Sequence, residues 1–174
     1  NSLNKKIDVY YYIINRGFNY DFKDNTMVSN LKKFLKEKLV GYKGLDDLKV
    51  ESFEKYKKFF YKTDHHWNAL GSYKGYEDIV GMFGFIPKEP KRFVTFEDTI
   101  FYGSEARNIA FYDIKEKFSA FEFEYSKHDE YVNGSILQYG KYPSYFAGIY
   151  SNSPLNQYYM DFYGPDVGEV KYDY

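Results

Sequence analysis

Asp64-His65-His66-Trp67 is the stretch of this chain whose residue types can do chemistry, for it holds two of the three histidines and the single tryptophan. A carboxylate beside an imidazole can accept its Nδ1 proton, fix the tautomer, and stabilise the imidazolium that forms when Nε2 takes a proton. On an extended backbone successive side chains alternate faces, which puts Asp64 and His66 on one side and His65 on the other. Asp64 then reads as an orienting acid and His66 as a general base, half of a Ser-His-Asp arrangement. A helix expected to begin at Asn68 brings the N–H groups of its first turn close by.

Plainer readings of the same residues stand beside this one. Asp64 can be a helix-capping residue flanked by two partly exposed histidines. Asp and His are also common metal ligands, but three consecutive residues rarely converge on one ion, and His128-Asp129-Glu130 is the other His/acid group in the chain. No metal and no cofactor is therefore expected. Trp67 by itself reads as a core anchor for the helix that follows.

The elements that must position this stretch follow from periodicity. Residues 7–14 form a short β-branched and aromatic run, expected as a buried strand ended by a turn at Asn15-Arg16-Gly17. Leu31, Phe34, Leu35 and Leu39 recur at helical spacing with Lys32, Lys33 and Lys36 opposite, and Gly41 and Gly44 are stop signals. Leu48, Phe53, Tyr56, Phe59 and Phe60 fit a second short helix running into a strand at Phe59-Phe60-Tyr61. Asn68 caps a third helix expected to bury Leu70, Tyr73, Tyr76, Ile79, Val80 and Phe83, with Gly84 at its end. Strand, helix, short helix, strand, helix is an α/β order.

Beyond residue 85 the character changes. Pro and Gly punctuate the chain and the apolar periods shorten. Thr99-Ile100-Phe101-Tyr102 is strand-like. Phe118 to Tyr125 alternates, Phe121 and Phe123 on one face and Glu122 and Glu124 on the other. From Tyr139 to Tyr174 there are turns and isolated aromatics. The expectation is one domain over 1–174, with an α/β portion at 1–85 and an irregular insertion at 86–174.

Composition narrows the partners. Lys+Arg number 24 against 25 Asp+Glu, so no strong field points to nucleic acid. No run of about 18 apolar residues is present that would form a membrane-spanning helix. The 22 Tyr and 17 Phe are too many to belong to one site and fit a biased genome, although aromatic faces also bind sugars. With no Cys, disulfides, thiolate catalysis and zinc–thiolate sites are excluded, and the compartment stays open. The chain begins at Asn1 with no signal-peptide pattern before the first strand, so it reads as a mature or trimmed product.

The string Phe60-Tyr61-Lys62-Thr63-Asp64-His65-His66-Trp67-Asn68-Ala69-Leu70-Gly71-Ser72-Tyr73 resembles the signature of the DHHW protein family. That family is similar to the SGNH-hydrolase-like group that includes alginate O-acetyltransferase-type proteins. The match is close over about residues 58–84 and looser over the preceding strand and helix and over Phe101-Tyr102-Gly103-Ser104. The resemblance implies a three-layer, flavodoxin-like sheet, mostly parallel, and an exported or membrane-anchored bacterial protein. It implies acylation or deacylation of cell-surface glycans, with a carbohydrate or acylated glycan as substrate, a membrane acyl-donor partner, and no nucleic acid. By position Asp64 is the orienting acid and His66 the general base, while His65 falls at the variable position between them.

The nucleophile is the gap in that resemblance. The acetyltransferase relatives carry it C-terminal to the D-x-H triplet, in a turn of G-x-S type, and this chain has no G-x-S. Ser72 falls inside a helix, where a hydroxyl bonds the preceding turn. Ser135 falls in a polar turn with no strand before it. Ser104 follows the strand-like run at 99–102 and is the best internal candidate. The main expectation is that the Ser lies beyond Tyr174, in strands that would complete the sheet. Trp67 and Arg107 are substrate-binding candidates, and Arg16 is a second arginine that could hold an anionic substrate. Two functions remain: acyl transfer or ester hydrolysis through an acyl-Ser intermediate, or an inactive glycan-binding or assembly module on the same fold.

Overall fold

The computed structural model describes residues 8–14, 26–38, 41–124, 129–132, 135–137 and 170–173. They fall into two compact units. One draws on residues 1–60 and 66–88, the other on 61–65 and 89–174. The change of character expected near residue 85 thus lies close to a unit boundary, but a five-residue excursion at 61–65 also leaves the first unit for the second.

The first unit runs β1 (Val9–Ile13), α1 (Thr26–Lys38), β2 (Tyr42–Asp47), α2 (Phe53–Phe59) and α3 (Ala69–Met82). β1 and β2 pair in parallel, with Tyr11 opposite Leu45 and Ile13 opposite Asp47. Parallel neighbours need a crossover, and α1 lies between them in the chain. β2 went unforeseen because Lys43, Gly44, Asp46 and Asp47 leave it almost no apolar pattern. Pairing with β1 makes it a strand. Gly44 accordingly stops no helix; it lies within β2, where a Cβ would stand 2.8 Å from Cδ1 of Tyr10. Leu39 and Arg16 lie outside the described residues.

Both remaining helices begin at polar caps, as their sequences require. Ser52 Oγ accepts the Lys55 N–H at the start of α2. Asn68 Oδ1 accepts from Leu70 and Gly71 at the start of α3, and Gly84, at φ 77°, turns the chain out after its end. The face of α3 that packs tightest differs from expectation. Ala69, Gly71 and Gly75 are buried, the large apolar residues are half-buried, and Phe83 is exposed. Small residues win because Trp67 lies close against them: a Cβ on Gly75 would stand 2.4 Å from Trp67 Cζ3. Tyr12 reaches α3 from β1 and donates to Asp78 Oδ2 at 2.8 Å. Burial, then that hydrogen bond, raises the Tyr12 phenol above its ordinary range.

The strand expected at Phe59-Phe60-Tyr61 contracts to a single antiparallel bridge between Phe60 and Trp67. These two residues flank the excursion at 61–65, with His66 between it and Trp67. Asn68 clamps the base of the excursion, its N–H bonding Phe59 O at 2.8 Å and its Nδ2 bonding Lys58 O at 2.9 Å.

The second unit contains β3 (Arg92–Phe101), α4 (Ser104–Asn108), β4 (Glu116–Glu122), β5 (Asp129–Val132), β6 (Ser135–Leu137) and β7 (Val170–Asp173). β3 and β4 are antiparallel, pairing Phe93 with Phe121, Phe96 with Phe118 and Phe101 with Glu116. β5 lies between β6 and β7, antiparallel to both. The α/β character of the chain holds, but its described strands form three small sheets of which only one is parallel. The described strands of the second half pair antiparallel, and residues 138–169 of the expected irregular insertion lie outside the described residues. Ser135, placed in a turn with no strand before it, opens β6 directly after β5.

The core of this unit is aromatic: Tyr61, Phe101 and Phe118, with Phe96 and Ala120 against them. Full burial of a Phe is worth about 1.5–3 kcal/mol, so Phe101 and Phe118 anchor the β3–β4 pair. In β4 the buried parity is that of Phe118 and Ala120, with Phe121 on the other face against Phe93. The expected pairing of Phe121 with Phe123 as the apolar face is thus displaced by one residue. Tyr61 packs against Phe101 with ring centroids 4.6 Å apart and planes tilted by 51°, which carries the start of the excursion into this core. Among the described residues no helix is long and apolar enough to cross a membrane.

Candidate functional site

Residues 62–66 bend, and the bend decides which side chains meet. Alternation of faces applies to a strand; once the backbone curves, neighbouring side chains can turn to one side. Asp64 is completely buried and His65, beside it, is half-exposed. Ser104, from the first position of α4, meets both. Its Oγ lies 2.8 Å from His65 Nδ1, and its N–H donates to Asp64 Oδ2 at 2.7 Å. Asp64 Oδ1 lies 3.7 Å from the same Nδ1. The second unit therefore gathers Asp64, His65 and Ser104 from two segments about 40 residues apart.

The turn into α4 is built on residues 63–64. Gly103 donates its N–H to Thr63 Oγ1 at 3.0 Å, and Glu105 and Ala106 donate theirs to Thr63 O at 3.1 and 3.2 Å. With Ser104 on Asp64, the whole first turn of α4 is capped from the excursion. Gly103 itself makes no side-chain cap. Only glycine fits at 103, because a Cβ there would stand 2.2 Å from Thr63 O and 2.3 Å from Asp64 Cβ. The excursion is held from the other side by Glu116, the first residue of β4. Its Oε1 accepts the Lys62 N–H at 2.8 Å, and its Oε2 accepts the Thr63 N–H at 2.8 Å and the Thr63 hydroxyl at 2.5 Å.

This geometry permits proton transfer between Ser104 Oγ and His65 Nδ1, with a buried carboxylate close to the nitrogen that would gain charge. It differs from the usual relay, in which carboxylate and hydroxyl sit on opposite ring nitrogens. Here both approach Nδ1, so the Asp64 carboxylate can stabilise an imidazolium at His65 by charge. The backbone donors around Ser104 are occupied by Thr63 and Asp64. Those at the start of α3 that bond Asn68 are likewise engaged.

The chain shares its fold with a DHHW family protein. A crystal structure of such a protein from Eubacterium siraeum superposes with a TM-score of 0.60 over 95% of this chain, at 16% sequence identity. The present chain covers 57% of the length of that neighbour. No protein-family model and no curated protein matches the chain.

Asp64 and Ser104 come together. His65, which carried no role, makes the contact with Ser104, while His66 belongs to the first unit and is half-buried there. Trp67 is also in the first unit, its ring against Gly75 of α3, a position that suits the anchoring role its sequence context allowed. Arg107 lies on the last turn of α4, half-buried, with Nη1 shielded from solvent. Ser72 is inside α3, and His128 lies outside the described residues. Thr63 and Glu116 escaped sequence reasoning. A Thr before an Asp and a Glu at a strand start are common, and the only signal is their contact across about 50 residues.

Proposed function

We propose that the chain is the DHHW-bearing part of an SGNH-like acyltransferase or esterase that acts on O-acyl groups of a bacterial surface glycan outside the cytoplasm. The reading rests on one observation, the 2.8 Å contact between Ser104 Oγ and the half-exposed His65 Nδ1 above the buried Asp64. Ser104 is the nucleophile, in place of a serine beyond Tyr174. Its Oγ bonds to the acyl carbon as its proton passes to His65 Nδ1, and the acyl–oxygen bond breaks as that proton goes to the departing alkoxide. Water or a sugar hydroxyl then takes the acyl group by the reverse steps. Asp64 stabilises the transient imidazolium. In the transferase version a membrane partner supplies the acyl donor.

Serine labelling tests the reading. A fluorophosphonate probe is expected to label the chain, to fail on Ser104→Ala, and to slow by about 10²- to 10⁴-fold on His65→Ala. His66→Ala is the discriminating variant, because the resemblance places the base there. Loss with His66→Ala alone, or labelling confined to a chain extended past Tyr174, overturns the assignment to Ser104 and His65.

A second reading is a glycan-binding or assembly module without turnover. It is favoured by the occupied N–H groups of residues 103–106, which offer no donors to an oxyanion. Saturable binding of an acylated glycan with no probe labelling of any version decides for it.

A further inference from the structure

We infer that Thr63 and Glu116 form a positioning pair that sets the approach of His65 to Ser104. Two segments must meet for that approach: the bend at 62–65 and the turn at 103–104. Thr63 Oγ1 belongs to both, donating to Glu116 Oε2 at 2.5 Å and accepting the Gly103 N–H at 3.0 Å. Glu116 is fixed in turn by the β3–β4 ladder, where it pairs with Phe101, two residues before Gly103. The Phe101–Glu116 pair, which follows a register shift after Phe96, therefore ties the strand that delivers Ser104 to the strand that grips residues 62–63. Phe101 is wholly buried and packs, with its ring tilted, against Tyr61, so neither end of this frame is loose.

Glu116 touches neither Ser104 nor His65 in this arrangement; it acts through the backbone that carries them. Its carboxylate meets three donors, two of them backbone N–H groups. A Gln of the same shape must turn an NH₂ toward a donor at one of the two positions, which pushes residues 62–63 away. Displacement of about 1 Å at a reacting pair costs about 100-fold in rate.

The activity part of the test rests on the serine reading above, so it is paired with one that does not. Thr63→Ser keeps the hydroxyl, Thr63→Val removes it, and Glu116→Gln removes one acceptor. For each, the probe-labelling rate of Ser104 is measured together with the ring ¹⁵N shifts of His65, one of only three histidines. Thr63→Ser is expected to match the parent in both. Glu116→Gln and Thr63→Val are expected to label about 10- to 100-fold more slowly and to lose the shift of a hydrogen-bonded Nδ1, with folding confirmed by near-ultraviolet circular dichroism. If the parent is not labelled, the acyl-transfer reading fails, and the shifts alone decide the pair. Unchanged His65 shifts in Glu116→Gln overturn the inference, whether or not Thr63→Val folds.

Discussion

Ser104 donates its backbone N–H to Oδ2 of Asp64 at 2.7 Å, tying the first residue of α4 to a completely buried carboxylate 40 positions earlier. The acid of the motif is thus a helix cap supplied from a distance, as well as a charge 3.7 Å from His65 Nδ1. A five-residue helix has little intrinsic stability, and nucleation is the costly step. Thr63 and Asp64 together satisfy the four N–H groups of residues 103–106, so the folding of α4 and the gathering of the candidate site are one event.

Asp64→Ala leaves the Ser104 N–H facing a buried gap. Hydrogen bonds to a charged group contribute about 1.5–3 kcal/mol, and the abandoned donor adds to the loss. Urea unfolding is expected to show a destabilisation of about 2–4 kcal/mol, with Asp64→Asn, whose oxygen still accepts, losing less. Equal stability of Asp64→Ala and the parent would show that the cap contributes nothing.

Gly75→Ala tests the seat of Trp67. The added Cβ would stand 2.4 Å from Trp67 Cζ3 and 2.7 Å from Cη2, so the indole or α3 must shift. Overpacking of this kind costs about 1–3 kcal/mol. Trp67→Phe shortens the ring on that side, and the pair of substitutions together is expected to cost less than the sum of the two. As Trp67 is the only tryptophan, its fluorescence reports the shift directly. Additive losses with an unchanged emission maximum count against the contact.

Tyr12 makes the first unit sensitive to alkali. Its phenol is raised by burial, then by the hydrogen bond and negative charge of Asp78. The unfolded chain ionises this group near pH 10 while the folded chain holds its proton, so the folded state binds more protons above that point. The stability it contributes is complete below about pH 10 and declines as pH rises further toward the folded value. The difference in unfolding free energy between the parent and Tyr12→Phe is expected to be constant from about pH 7 to 9 and to shrink above about pH 10. A difference that grows with pH would reverse the assigned direction.

Much of the local structure was legible in the sequence because its causes are local. Asn68 announced α3 by the capping chemistry of its own side chain, and Gly84 announced its end by a backbone angle that side chains resist. The bulky run at 9–13 announced β1. The tetrad Asp64-His65-His66-Trp67 announced the site and the neighbour whose fold the chain shares. Only tertiary structure decided the rest. β2 is a strand because β1 lies beside it, since Tyr42–Asp47 carries too little apolar alternation to declare itself. The bend at 62–66 brings His65 to Ser104, against the alternation that an extended segment would impose. Thr63 and Glu116, 53 positions apart, hold that bend through hydrogen bonds to main-chain groups. Such bonds leave no mark in a linear pattern, because every residue carries the same N–H and C=O, and only the fold determines which carboxylate they meet.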